Sequence, residues 1–160
     1  MEWFSKLFRI SATPKDSAEV ADLKRELANR EDALGPDHPD ITPCLNNLAE
    51  LYKAHGRYAQ AAQFYERALT IRENALGPDH PSVAQSLNHL AMLCRARHRY
   101  AESESFFKRS LAIKEKVLGP DHPSVATSLE NMAKLYRKMG RDDEAESLTQ
   151  RAVAIRTVKL

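Results

Sequence analysis

Glycine is scarce in this chain of 160 residues, at 5 against 8 prolines. So few glycines leave no room for a glycine-rich loop that cradles phosphates. Cysteine is scarcer, with only Cys44 and Cys94 and no CxxC or metal-ligand spacing. Free buried thiols in a reducing compartment are the expectation. Neither sign of charge dominates: Lys+Arg 24 faces Asp+Glu 22 for a net +2, which makes no general case for nucleic acid. No apolar run reaches the ~18 residues of a membrane span. Residues 1–10 lack the apolar core and cleavage site of a secretory signal. No serine, cysteine or carboxylate stands in a nucleophile elbow. What remains is a cytoplasmic, non-catalytic chain without metal or cofactor, long enough for one domain.

What the chain does have is repetition. LGPDHP occurs at Leu34–Pro39, Leu76–Pro81 and Leu118–Pro123, a fixed step of 42 residues. A constant period of this size marks a stacked-repeat architecture. Within the motif, Gly35, Gly77 and Gly119 are placed to end a helix in the left-handed conformation. Pro39, Pro81 and Pro123 suit the first turn of the next helix, where no amide hydrogen is needed. The residue before each proline is pushed to extended geometry, as an N-cap requires. The motif predicts a helix–helix corner used three times.

Between corners the pattern predicts helical pairs over 39–55 with 58–75, 81–97 with 100–117, and 123–138 with 142–157. Their short links, His55–Arg57, Ala96–Arg99 and Met139–Arg141, leave room only for antiparallel neighbours. Leu45, Leu48, Ala49 and Tyr52 recur as Leu87, Leu90, Ala91 and Cys94, then as Leu129, Met132, Ala133 and Tyr136. On the second helices Ala61, Tyr65, Ala68 and Leu69 recur as Ser103, Phe107, Ser110 and Leu111. Large residues three or four apart with a small one between predict ridge-into-groove packing at close approach.

Small residues at Ala49, Ala61 and Ala68, with Tyr52, Tyr58 and Tyr65, resemble the tetratricopeptide signature. The 42-residue length and the strings NNLAELY and GRYAQAAQFYERALTIRENALGPDHPSVAQSLNHLA are similar to the kinesin light chain subfamily, over about residues 34–157. Such repeats also occur in proteins unrelated to kinesin, so the resemblance implies a fold and a binding mode rather than a motor. The implied fold is all-α: a right-handed α-solenoid of three tetratricopeptide helix pairs with an N-terminal capping helix.

Helix 17–34, capped by Asp16 or Ser17, aligns with the second helix of a unit that lacks its first. Glu19 and Glu26 fall where Ala61 and Ala68 sit, so this helix is expected as the polar cap that repeat arrays need. At the other end Asp142 and Thr149 replace the aromatic positions, which suggests a complete array. Leu148, Val153 and Ile155 are expected to leave an apolar end that permits end-to-end homo-oligomers. Ahead of the cap, residues 1–12 form an amphipathic segment with Trp3, Phe4, Leu7 and Phe8 on one face beside Lys6 and Arg9. It has three readings: a cover folded onto the core, an interfacial membrane anchor, or a tail that binds a partner or sister chain.

In this repeat family the first helices line a concave groove, so the resemblance places the site opposite the packed stripe. The groove residues expected are Asn46, Asn47, Glu50, Lys53, Asn88, His89, Met92, Arg95, Asn131, Lys134, Arg137 and Lys138. Five cations (Lys53, Arg95, Lys134, Arg137, Lys138) outnumber Glu50 and Glu130 on this face, which favours an extended, acidic peptide or partner segment. Asparagine amides both donate and accept, so Asn46 and Asn88 suit a peptide backbone of any sequence. Asn47, His89 and Asn131 are equally suited to hydrogen bonds between adjacent units. A chaperone-type carboxylate clamp is excluded, because Asn46, Glu50, His89, Thr127 and Asn131 occupy its positions without the required cations.

His38, His80 and His122, one per corner, are separated by about 10 Å if stacked at an interhelical spacing. They cannot share a metal whose bonds to nitrogen are ~2 Å, and are expected to cap helices or bond across the corner with Asp37, Asp79 and Asp121. The function expected is a protein-interaction adaptor. The alternatives are a self-assembling structural repeat, or a scaffold tethered to a membrane through residues 2–10. A basic groove without stacking aromatics makes nucleic acid a poor partner.

Overall fold

In a computed structural model, described over residues 17–157, seven α-helices follow one another: α1 (Ala18–Leu34), α2 (Thr42–Ala54), α3 (Tyr58–Leu76), α4 (Pro81–Ala96), α5 (Tyr100–Leu118), α6 (Pro123–Lys138) and α7 (Asp142–Thr157). Helices α2/α3, α4/α5 and α6/α7 are antiparallel pairs stacked in order, and α1 packs on α2. No strand occurs among the described residues, and none of their helices is long and apolar enough to cross a membrane. The segment carrying Trp3, Phe4, Leu7 and Phe8 lies outside the described residues, as does Asp16. Ser17 caps α1, its hydroxyl accepting from the Val20 amide at 3.3 Å.

The corners explain the motif's invariance. Gly35, Gly77 and Gly119 have φ of 98, 86 and 89° with ψ of 154, 159 and 155°. The positive φ is as expected, but the extended ψ is not left-handed helix. It belongs to a region essentially restricted to glycine, so the corner excludes even asparagine. Each corner histidine is then the N-cap of the following turn: Nδ1 of His38, His80 and His122 accepts from the amides of Asp40, Ser82 and Ser124 at 3.2, 3.1 and 3.1 Å. Asp79, expected to bond across its own corner, instead pairs with Lys116. The first corner differs in one respect. Pro39–Ile41 is a 3-10 turn and the α-helix begins only at Thr42. Pro43, which has no amide hydrogen, stands where the later units have Gln85 and Thr127, and Thr42 Oγ1 donates to the Pro39 carbonyl at 2.8 Å instead.

Within each pair the core sits where small residues let the helices close. Ala49, Ala61, Ala68, Ala91, Ser103 and Ser110 are fully buried, beside Leu45, Leu48, Tyr65, Leu87 and Phe107. The serines that replace alanine on α5 donate to α4 carbonyls, Ser103 to Ala91 and Ser110 to Ala84, both at 2.7 Å. At the C-terminal end Ile155 is buried against Val125, Ala126 and Leu129. The expectation of an apolar end made by Leu148, Val153 and Ile155 is therefore corrected. Only Val153 is strongly exposed, at 54%, because the other two close the core of their own pair.

Between pairs, the same period writes a ladder of ion pairs along the second helices: Arg67–Glu31 at 2.6 Å, Arg109–Glu73 at 2.5 Å and Arg151–Glu115 at 2.6 Å. A polar seam also joins the first helices. Asn131 donates to Asn88 Oδ1 at 3.4 Å. One repeat earlier the equivalent positions hold His89 and Asn46, whose Nδ1 and Oδ1 are buried and unpartnered. The His89 ring lies against Tyr65, with centroids 5.3 Å apart. Burial pushes the His89 pKa below its ordinary value; nearby Glu50 pulls it up, while Arg72, Lys53 and Lys114 add to the depression.

His98 holds φ 59° where the other links use Gly56 and Gly140 at 71°. A side chain in this region costs roughly 1–2 kcal/mol, so His98→Gly should raise stability by about 0.5–1 kcal/mol in urea titrations. A loss would mean that the bond between His98 Nδ1 and the Tyr100 hydroxyl, 2.8 Å, outweighs the strain. The depressed folded pKa of His89 contributes stability in full above the unfolded value near 6.5, lost as pH falls through the folded value. His89→Asn, which copies the later seam, should therefore gain on the wild type as pH drops from about 7 to about 5. A stability gap independent of pH would contradict this.

Candidate peptide-binding groove

The first helices place their C-terminal turns side by side, and it is there that the basic residues gather. Lys53 closes α2, Met92, Arg95 and Ala96 close α4, and Lys138 closes α6. Together with His98 from the middle link and Tyr100 at the start of α5 they line one cavity of about 420 Å³. Cations at helix C-termini are favoured by the helix dipole, which is a local reason for their recurrence at this phase. Four of the twelve expected residues (Lys53, Met92, Arg95, Lys138) thus come together, contributed by three successive pairs.

The cavity's electrostatics differ from residue to residue. Lys53 Nζ is paired with Glu50 Oε2 at 2.5 Å, and Tyr65 donates to the other Glu50 oxygen. Burial pushes the Glu50 carboxyl up, but the bonds from Lys53 and Tyr65 outweigh it and hold the group below the usual range. Burial, and then the same bond to Glu50, push the Tyr65 phenol well above its ordinary value. Arg95 is half-buried and donates to the Asn131 backbone carbonyl at 3.3 Å, with burial alone lowering its pKa. Its charge has no carboxylate partner among the described residues. Met92, Ala96 and Tyr100 supply an apolar wall beside these cations.

The other expected residues divide among different jobs. Asn47 and Glu50 line a separate cavity of about 490 Å³ with Glu19, Leu23, Leu51 and Ala54, between α1 and α2. Two carboxylates give that end of the face the opposite charge. Asn88 and Asn131 bond one another in the seam, and Asn88 also contacts Met92 Sδ at 3.5 Å. Asn46 and His89 are the equivalents one unit back, each with one buried, unpartnered atom. Arg137 turns toward α7 and donates to Thr149 Oγ1 at 3.0 Å, while Lys134 is exposed. Glu130 is engaged by Arg156 at 2.8 Å. Sequence reasoning missed His98 and Tyr100 as cavity residues. The signal available was a histidine at a link position that is glycine in the other two units.

No group of three or more histidine, cysteine or carboxylate side chains among the described residues is arranged to hold a metal. Cys44 and Cys94 are free and buried, and burial raises both thiols above their ordinary pKa.

Comparison with known proteins fits this geometry. The tetratricopeptide repeat profile matches residues 20–74, 63–116 and 82–157. A 52-residue stretch is 46% identical to nephrocystin-3 of Homo sapiens and of Xenopus laevis; it covers 32% of this chain and only 4% of those proteins. Among solved structures, TPR-like repeats of a kinesin light chain from Podosopora anserina superpose with a TM-score of 0.74 at 29% identity, covering 88% of this chain and 67% of that one. BtubC (BKLC) from P. vanneervenii superposes with a TM-score of 0.72 at 28% identity, covering 87% of this chain and 57% of that one. The chain belongs to the tetratricopeptide repeat family, with repeats of the kinesin light chain type, and such repeats are in general protein–protein interaction modules.

Proposed function

We propose that this chain is a non-catalytic adaptor that holds an extended, acidic segment of a partner protein in its concave groove. One observation carries the reading: Lys53, Arg95 and Lys138, from three successive helix pairs, line a single cavity with an apolar wall. Arg95 is half-buried without a carboxylate, and its planar fork suits the bidentate grip of one. Lys53 is already engaged by Glu50, so an incoming carboxylate competes there and meets less resistance at Arg95 and Lys138. The seam asparagines are occupied with one another, which leaves charge and the Met92–Tyr100 wall to set affinity. Free buried cysteines support a cytoplasmic setting for this work.

Fluorescence anisotropy with a labelled glutamate-rich peptide tests the reading. Charge reversal at Arg95 with Lys138 should weaken binding at least about tenfold and remove most of its salt dependence. The melting temperature should move little, because Lys138 is exposed and Arg95 gives up a single hydrogen bond, the one to the Asn131 carbonyl. Unchanged affinity in the double variant would end the proposal for this groove.

A further inference from the structure

A column of cations recurs on the second helices at the repeat step: Arg30, Arg72, Lys114 and Arg156. The two outer members are neutralised. Arg30 pairs with Glu26 at 2.9 Å and Arg156 with Glu130 at 2.8 Å. The two inner members are held only by neutral oxygens. Arg72, 8% exposed, donates to Thr42 Oγ1 at 3.3 Å, to the Ser82 carbonyl at 3.0 Å and to Ser86 Oγ at 2.9 Å. Lys114 Nζ donates to Ser128 Oγ at 2.7 Å. Burial alone lowers the pKa of both, with no opposite charge to offset it. A desolvated cation without an anion is costly, and a ligand that supplies the anion recovers that cost.

Both cations open onto cavities. One of about 530 Å³ beside Arg72 includes Pro39, Leu76 and Ser82 in its walls. One of about 300 Å³ beside Lys114 includes Pro81, Leu118 and Ser124, the same positions one repeat on. The two therefore form a periodic strip along the corner edge, at the starts of the first helices, whereas the concave cavity lies at their ends. Exposed leucines rim it: Leu34 at 44%, Leu76 at 42% and Leu118 at 36%. The Lys114 cavity has no carboxylate in its walls, while the other includes Asp40, which faces His38 at 3.7 Å.

We propose that this corner strip is a second docking surface, taking a partner segment whose carboxylates enter the two cavities to meet Lys114 and Arg72 while apolar side chains rest on Leu76 and Leu118. Side chains one repeat apart on successive second helices reach one another, as Arg109 and Glu73 do, so the cavities are on the order of one interhelical step, about 10 Å, from each other. A polyproline II segment advances about 3.1 Å per residue with three residues per turn. It presents every third side chain on one face at about 9 Å, which matches the strip. The chemistry recognised is thus an extended segment with carboxylates at i and i+3 and leucine or proline between. This surface is independent of the concave groove.

The probe is a labelled, end-blocked peptide of Glu-Leu-Pro triplets, with a Gln-Leu-Pro counterpart, titrated into the full chain by anisotropy and amide-shift mapping. The glutamate peptide should shift Ser82, Gln85, Leu118 and Ser124 and bind at least about tenfold tighter than the glutamine one. Lys114→Met should cut that affinity by a similar factor with the melting temperature equal or higher, since an apolar side chain replaces a half-buried charge with no carboxylate partner. Should that variant misfold, Leu118→Ser, at an exposed rim position, should weaken binding and leave the fold intact. Arg95→Glu, which removes the groove's contribution to binding, should leave the peptide-induced shifts at Ser82, Gln85, Leu118 and Ser124 unchanged. The proposal is overturned by equal binding of the two peptides, by no binding up to about 1 mM, or by shifts confined to Met92, Arg95 and Ala96.

Discussion

How closely two helices approach within a pair fixes everything built on top of it. Alanine or serine at the crossing points lets the backbones meet, and the hydroxyls of Ser103 and Ser110 bond the α4 carbonyls they touch. That contact leaves the large residues Leu87 and Phe107 to fill the flanks, as Leu45 and Tyr65 do one unit earlier. A larger side chain at any of these small positions would force the helices apart, and the next pair would inherit the displacement. Because the spacing within each brick is the same, side chains at one phase meet their counterparts at a constant offset. Columns of like residues are the result.

Those columns sort into three kinds of chemistry. The Arg67–Glu31 series neutralises itself across each junction and serves the stack. The asparagine seam satisfies itself at one junction and leaves Asn46 and His89 with buried unpaired atoms at the other. The Arg72 and Lys114 column, and Arg95 on the first helices, carry charge with no carboxylate opposite. Structural pairs use their charge up within the protein; these three cations do not. Both docking surfaces considered above begin from that difference.

The architecture was largely legible in the chain itself. LGPDHP at a constant step predicted corners, the small-residue phases predicted close pairing, and Glu19 with Glu26 predicted a polar first helix. The local surprises have local causes: Pro43 delays the start of α2, and the corner glycines take an extended ψ rather than a left-handed helical one. The binding face was less legible. Helical phase says which residues share a side, but not which have partners on it. Arg137 and Lys53 share that phase with Arg95, yet Arg137 bonds Thr149 on α7 and Lys53 bonds Glu50 within its own helix. His98 belongs to a link and has no helical phase to betray it, and Tyr100 opens α5, off the first helices that supply the other wall residues.

By itself the sequence determined the unit, its length, the antiparallel turn within it and the order of stacking, because each depends on residues near in sequence and on a period that repeats without drift. Only the tertiary structure decided which cations stay unpaired and where cavities open. Those outcomes depend on distances between side chains about one repeat apart, on helices whose relative placement the period implies without fixing to the ångström at which a hydrogen bond forms or fails.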